Sequence, residues 1–124
     1  MTHAFSARVF TWLSGVTALF QLALVAGAPW GAATQGGRFT GALPMPARLL
    51  ALASAALLLG FVALVRGRAH PTRPPRFRRA IWGVVVYCAL GIVANAATPS
   101  AVERAIWLPV VTVMFLTSLH VARH

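Results

Sequence analysis

Four long runs of apolar residues divide the chain, and polar or glycine- and proline-rich segments separate them. The runs contain 20, 19, 19 and 18 residues and are Val9–Ala28, Ala47–Val65, Ala80–Thr98 and Ala105–Ala122. A helix needs roughly 20 apolar residues to cross the hydrocarbon core of a bilayer. The pattern therefore predicts an all-α protein, a four-transmembrane-helix bundle that forms a single membrane domain over residues 1–124, with an outer loop over 29–46 and a basic loop over 66–79.

The composition excludes most other classes of protein. Of the 124 residues, 59% are hydrophobic and 10% charged, whereas a soluble domain has about 25% charged residues and a disordered chain has low hydrophobicity. The single cysteine, Cys88, excludes a disulfide scaffold and a four-thiolate zinc site. We expect Cys88 to pack as a small apolar residue in the membrane, and we expect neither a metal site nor a cofactor.

The first apolar run also has features of a signal peptide. Arg8 precedes it, and Ala26-Gly27-Ala28 resembles a cleavage site. The run is nevertheless longer than the usual apolar region of a signal peptide, which is about 7–15 residues. Pro29 would also follow the cut. We therefore expect the run to be retained as a transmembrane helix.

The arginines predict the orientation of the helices. The chain contains eleven Arg, no Lys and one Glu, for a formal net charge of +10. If every run crosses the membrane, eight arginines lie on one side, namely six in the basic loop together with Arg8 and Arg123. The other side carries three, namely Arg38, Arg48 and Arg104. The positive-inside rule then predicts a cytoplasmic N-terminus, C-terminus and basic loop.

The basic loop, residues 66–79, is a candidate for binding a negatively charged partner. Pro71, Pro74 and Pro75 favour an extended segment rather than a recognition helix. We therefore expect Arg66–Arg79 to contact anionic membrane lipid and not nucleic acid.

The outer loop, residues 29–46, is rich in Gly and Pro and contains the apolar residues Trp30, Phe39 and Leu43. Glycine permits positive φ angles and proline favours turns. Two interpretations remain open. The loop either folds down as a cap over the outer end of the bundle or is a surface turn that only connects two helices.

The last connection predicts a capping box at the start of the fourth helix. Ser100 would accept a hydrogen bond from the Glu103 amide, and the Glu103 carboxylate would accept one from the Ser100 amide. Negative charge is also favoured at a helix N-terminus. Glu103 is the only acidic residue and hence a catalytic candidate, but the capping role accounts for it and we assign no catalytic residue.

Polar side chains inside the apolar runs are the best candidates for function. Gln21 and Asn95 lie at similar depths in the outer third of the membrane, so their amides could hydrogen-bond and join the first and third helices. Alternatively, they line an outer ligand pocket. The candidate pocket residues are Gln21, Trp30, Arg38, Arg48, Tyr87, Asn95 and Arg104. His120 and His124 alone are a weak metal signal.

Several short motifs resemble those of one protein group. They are Gly27-Ala28-Pro29-Trp30-Gly31, the pair Gly36-Gly37, Leu43-Pro44 with Arg48 soon after, and Glu103-Arg104 at the fourth helix. The sequence is similar over nearly its whole length to a widespread group of small bacterial four-helix integral membrane proteins. Thr34-Gln35 departs from the bulkier residue expected before the glycine pair. The resemblance implies a multi-pass protein of the cell inner membrane and brings no activity with it.

Three classes of function fit these observations. We favour an accessory, scaffold, or lipid- or small-ligand-interacting protein that is not an enzyme, acting as a homo-oligomer or with a larger membrane partner. The alternative is an oligomeric channel or transporter subunit for a small solute or anion. A membrane enzyme is the weaker alternative, because only Glu103, His120 and Tyr87 could act as acids or bases.

The four-span topology predicts that the two long loops lie on opposite sides of the membrane. Single cysteines introduced as Gln35→Cys and Thr72→Cys, each in a Cys88→Ser background, should react with an impermeant maleimide from opposite sides of sealed vesicles. Labelling of both cysteines from the same side would contradict the four-span topology.

Overall fold

Four helices make up most of the chain in the computed structural model, which describes residues 2–123. They are α1 (His3–Val25), α2 (Met45–Ala69), α3 (Phe77–Ala97) and α4 (Ala101–Arg123). Each is long and apolar enough to span a membrane. The prediction of an all-helical chain with four membrane-length helices is confirmed.

The helices extend into the predicted basic loop. Helix α2 continues to Ala69 and α3 begins at Phe77, so the connection is only residues 70–76 and not 66–79. Arginine is a good helix former, and basic side chains are favourable in the last turn of a helix. Arg66 and Arg68 occupy that last turn in α2.

Helix α1 spans His3–Val25 instead of the predicted Val9–Ala28. Gly27 has a φ of +104°. Its amide donates to the Leu24 carbonyl at 3.1 Å, and the Ala28 amide donates to the Ala23 carbonyl at 3.0 Å. These two bonds form a Schellman cap, in which glycine adopts the left-handed conformation without steric cost. The segment from Ala26 to Pro44, which joins α1 to α2, is called the cap loop below.

The helices pack in a ring in chain order. Helix α1 packs against α2 and α4, and α3 packs against α4 and α2, so α1 and α3 lie diagonally opposite. The Ser6 hydroxyl and His120 Nδ1 are 2.8 Å apart, which places the start of α1 beside the end of α4. This end of the bundle is called the terminal end. The opposite end of the bundle carries the cap loop and the turn between α3 and α4, and it is called the loop end.

Two groups of apolar side chains form the core. The larger group includes Phe10, Ile81, Val84 and Val121, and also Cys88, all fully buried. The expectation that Cys88 packs as a small apolar residue is confirmed. The smaller group lies at the loop end and consists of Leu24, Leu43, Ala47 and Ala51.

Large apolar side chains also cover the outside of the bundle. Trp12, Leu19 and Val93 are 76%, 68% and 65% exposed. A soluble monomer rarely presents such continuous apolar surface to water. The outer face therefore suits lipid, as expected for a multi-pass membrane protein.

The cap loop depends on the absence of a side chain at Gly31. A Cβ built there would lie 1.9 Å from the Phe39 carbonyl oxygen, whereas a Cβ at Gly41 would meet nothing within 4 Å. Gly31→Ala should therefore destabilise the protein by about 1–3 kcal/mol, the range for overpacking. Gly41→Ala, in the same loop, is the matched control. Thermal unfolding in detergent measures both, and equal stability of the two variants would contradict this packing.

Candidate functional site

The cap loop folds down onto the loop end of the bundle. The Gly31 amide donates to the Gly41 carbonyl at 3.0 Å and closes the loop on itself. Leu43 of the loop is buried beside Leu24, and Phe39 packs against the same cluster. Of the two interpretations of this segment, the cap is the one that the structure shows.

Three hydrogen bonds join the cap loop to the first turns of α4. The Ser100 hydroxyl donates to the Ala32 carbonyl at 2.5 Å, and Trp107 Nε1 donates to the Ala33 carbonyl at 2.7 Å. The Gly36 amide donates to Glu103 Oε2 at 2.9 Å. These bonds satisfy loop backbone groups that an apolar environment would otherwise leave unpaired.

The capping box forms only in part. The Glu103 amide donates to the Ser100 hydroxyl at 3.1 Å, as predicted. The predicted bond from the Ser100 amide to Glu103 is wrong, because that amide donates to Thr98 Oγ1 at 3.3 Å. Glu103 Oε2 instead accepts from the Thr98 hydroxyl at 2.7 Å and from Gly36. The carboxylate therefore joins α4 to the cap loop.

Three aromatic rings contact one another at the loop end, one pair stacked and the other tilted. Phe20 of α1 lies between Trp30 and Trp107, with ring centroids 6.0 Å and 4.7 Å away. Such geometries are favourable for aromatic pairs. This group of rings connects α1, the loop and α4, so it fixes one side of the space that the loop covers.

A cleft of about 390 Å³ lies under the cap loop, between α1, α3 and α4, with α2 contributing two residues. Ala33 and Thr34 of the loop form its roof. Its polar lining includes Thr17, Gln21, Ser54, Tyr87, Asn95 and Glu103. Its apolar lining includes Leu58, Leu90, Trp107, Val110, Val111 and Met114.

Gln21 and Asn95 both line this cleft but are not bonded to each other. Asn95 Nδ2 donates to the Gly91 carbonyl within its own helix at 2.8 Å. Among residues 2–123, no hydrogen bond links the two amides. The two amides do not bond directly because α1 and α3 lie diagonally across the bundle with the cleft between them.

The structure brings some of the candidate pocket residues together at the cleft and places others elsewhere. Gln21, Tyr87 and Asn95 line the cleft. The remaining candidates lie outside it, namely Trp30, Arg38, Arg48 and Arg104.

The excluded arginines hold the cap and its neighbouring turn. Arg48 Nε donates to the Leu43 carbonyl at 2.8 Å, and Arg104 Nη1 donates to the Thr98 carbonyl at 2.8 Å. The Arg38 guanidinium lies 5.4 Å from the Phe39 ring centroid. The Thr98 carbonyl lies at the C-terminus of α3, where helix carbonyl oxygens lack partners, and the Leu43 carbonyl lies in the cap loop. Arg104 and Arg48 satisfy these two oxygens and are held outside the cleft.

Sequence reasoning missed Glu103 and Trp107 as cleft residues. Their spacing of four residues places both on one face of α4. Gln21 has the same spacing from Thr17, and Asn95 has it from Gly91. These matching spacings were the signal that could have identified the faces of α1, α3 and α4 that line the cleft.

A second cavity, of about 480 Å³, lies between the start of α1 and the end of α2 at the terminal end. Its lining includes Arg8, Thr11, Arg66 and His70. Three basic side chains around one opening favour an anionic group.

The weak metal signal involved two histidines. His120 pairs with Ser6 and lies against the His3 ring, with ring centroids 5.0 Å apart. His124 lies outside the described residues.

Comparison with known proteins found no match, whether with protein-family models, with curated proteins or with solved structures.

Proposed function

We propose that this protein is a non-enzymatic component of the membrane that binds a small, largely apolar molecule in the cleft beneath the cap loop. The observation that carries the proposal is the cleft itself, about 390 Å³ in volume and lined by apolar and polar side chains. Ligand sites in proteins are typically about 300–1,000 Å³, mostly apolar, with a few polar groups that orient the ligand.

The roof of the cleft supports a binding role. Bonds from Ser100 and Trp107 to loop carbonyls hold Ala32 and Ala33 in place. A roof built before the ligand arrives costs less conformational entropy on binding than a mobile loop. The cap loop therefore suits retention of a ligand.

The core beneath the cleft favours a receptor over a channel in a single chain. Ile81, Val84 and Val121 are fully buried side chains of that core. Close-packed apolar side chains provide no polar groups for a hydrated ion. We therefore favour binding over conduction through this bundle.

We further propose that both termini face the cytoplasm of a bacterial inner membrane. The arginines at the terminal end outnumber those at the loop end by eight to three, which supports this orientation by the positive-inside rule. The cap loop and the cleft would then lie toward the periplasmic side.

Anionic lipid is the partner that we propose for the terminal end. Arg8, Arg66 and His70 surround the cavity there, and the rest of the arginine-rich segment 66–79 lies next to it in the chain. Basic residues at the cytoplasmic surface attract anionic headgroups. A homo-oligomer or a larger membrane partner would be compatible with the apolar outer face.

Binding in the cleft predicts that a bulky residue in its wall displaces the ligand. Ala94 and Ala96 are both exposed alanines of α3, but only Ala94 lines the cleft. Wild-type protein and Ala96→Phe released from lipid nanodiscs should carry a bound molecule in native mass spectra, and Ala94→Phe should lose it. A ligand-free wild type, or equal retention by the two variants, would contradict the proposal.

The anionic-lipid proposal predicts that retained phosphatidylglycerol depends on the basic cavity. The double variant Arg8→Gln, Arg66→Gln should keep less of this lipid in native mass spectra than wild type. Arg38→Gln with Arg104→Gln, which removes equal charge from the loop end, should retain it as wild type does. The reverse order would show that the cavity is not the lipid site.

A further inference from the structure

The charged side chain that lines the cleft is opposite in sign to the net charge of the chain. The chain has eleven arginines and one glutamate. Among the described residues that line the cleft, Glu103 is the only charged one. A cleft in a strongly basic protein thus presents a carboxylate, which changes the class of ligand that it suits.

The arginines near Glu103 do not neutralise it. Arg48 and Arg104 donate to carbonyl oxygens of Leu43 and Thr98, and Arg38 lies over Phe39. Within residues 2–123, Glu103 has no ion pair. Its charge is stabilised by the neutral donors Gly36 and Thr98 and by its position in the first turn of α4.

Those two neutral donors engage only one carboxylate oxygen. Both hydrogen bonds go to Oε2, and Oε1 accepts none from the described residues. A glutamine at position 103 could accept the same two bonds through its amide oxygen. The two bonds therefore do not require the negative charge of the carboxylate, and that charge is available to a cation in the cleft.

Two aromatic side chains accompany the carboxylate in the cleft. Trp107 lies one helical turn after Glu103, and its Nε1 is bonded to Ala33. Tyr87 lines the α3 wall, and the Phe61 ring packs edge-on against it with centroids 4.9 Å apart. Aromatic faces attract ammonium groups through cation–π interactions.

We propose that the cleft selects an organic cation, an ammonium group attached to an apolar body. Glu103 supplies the counter-charge, Trp107, one helical turn further along α4, contacts the ammonium group, and the deeper lining, which includes Tyr87, receives the apolar body of the molecule. The inference rests on the proposed function, because it names the ligand class of the same cleft. The proposed ligand differs from the anion named in the channel alternative, since the arginines of the loop end lie outside the lining.

Three soluble probes that share a benzyl group test the charge preference. They are benzyltrimethylammonium, the neutral N-benzylacetamide and the anion phenylmethanesulfonate. Isothermal titration calorimetry in a non-ionic detergent should give the tightest binding for the cation and the weakest for the anion. Ala94→Phe should weaken binding of every probe, whereas Ala96→Phe should leave it as in wild type.

Two substitutions test which residues recognise the cation. Glu103→Gln should weaken benzyltrimethylammonium about tenfold or more, the loss of one charge-assisted contact, and leave N-benzylacetamide unchanged. Hydrogen exchange of the Gly36 amide checks that the cap loop is intact in this variant. Tyr87→Leu, which alters no bond of the cap loop, is the comparison: it lies deeper in the cleft beside the apolar body, so it should change the affinities for all three probes by a similar factor.

Nanodiscs distinguish the source of the ammonium group. Retention of phosphatidylethanolamine by wild type, and its loss in Glu103→Gln, would support a lipid headgroup. Binding of free benzyltrimethylammonium with no retained phosphatidylethanolamine would support a free amine. Both results support the cation preference.

The experiment separates failure of this inference from failure of the proposed function. Equal affinities for the three probes, with Glu103→Gln unchanged and Ala94→Phe weakened, would overturn the cation preference and leave the cleft as a binding site. No difference between Ala94→Phe and wild type for any probe would overturn both.

Discussion

The Glu103 carboxylate joins the cap loop to the turn before α4 at the loop end of the bundle. Its Oε2 accepts from Gly36 in the cap loop and from Thr98 before α4. Backbone polar groups near an apolar environment must be paired within the protein. The cap loop therefore lies across the bundle where α4 can accept and donate its hydrogen bonds, and the cleft is the space that remains beneath it.

Charge is separated by function within this small bundle. Most arginines lie at the terminal end, where they orient the chain and surround a basic cavity. Those at the loop end bond to carbonyl oxygens or lie over an aromatic ring. This arrangement leaves the one acidic residue as the charge of the cleft, so net charge and local charge point to different ligands.

The sequence predicted the elements better than their contacts. The four apolar runs identified the helices because membrane length and hydrophobicity depend only on local composition. The observed ends of the helices differ from the predicted ones. At Gly27, for example, a left-handed conformation and two cap bonds end α1 before the predicted end at Ala28. Arginines next to an apolar run are part of α2 and of α3, since charged residues can continue a helix beyond its apolar part.

The cleft was predictable only in part. Gln21, Tyr87 and Asn95 could be recognised as polar residues within apolar runs, and they line it. A direct bond between Gln21 and Asn95 does not form, because equal depth in the membrane does not make two helices neighbours. Glu103 was correctly expected to cap α4, but its second bond is to a residue in a distant loop, which local spacing cannot show.

The sequence by itself determined the class of protein, the number of membrane-length helices and the excess of arginine at one end. These follow from composition and periodicity along the chain. Only the tertiary structure decided that α1 and α3 lie diagonally opposite and that the cap loop packs onto the end of the bundle. It also decided that Glu103, Trp107 and Tyr87 line one cleft. Those features depend on contacts between residues far apart in the chain, which arise when side chains pack and loop backbone groups find partners.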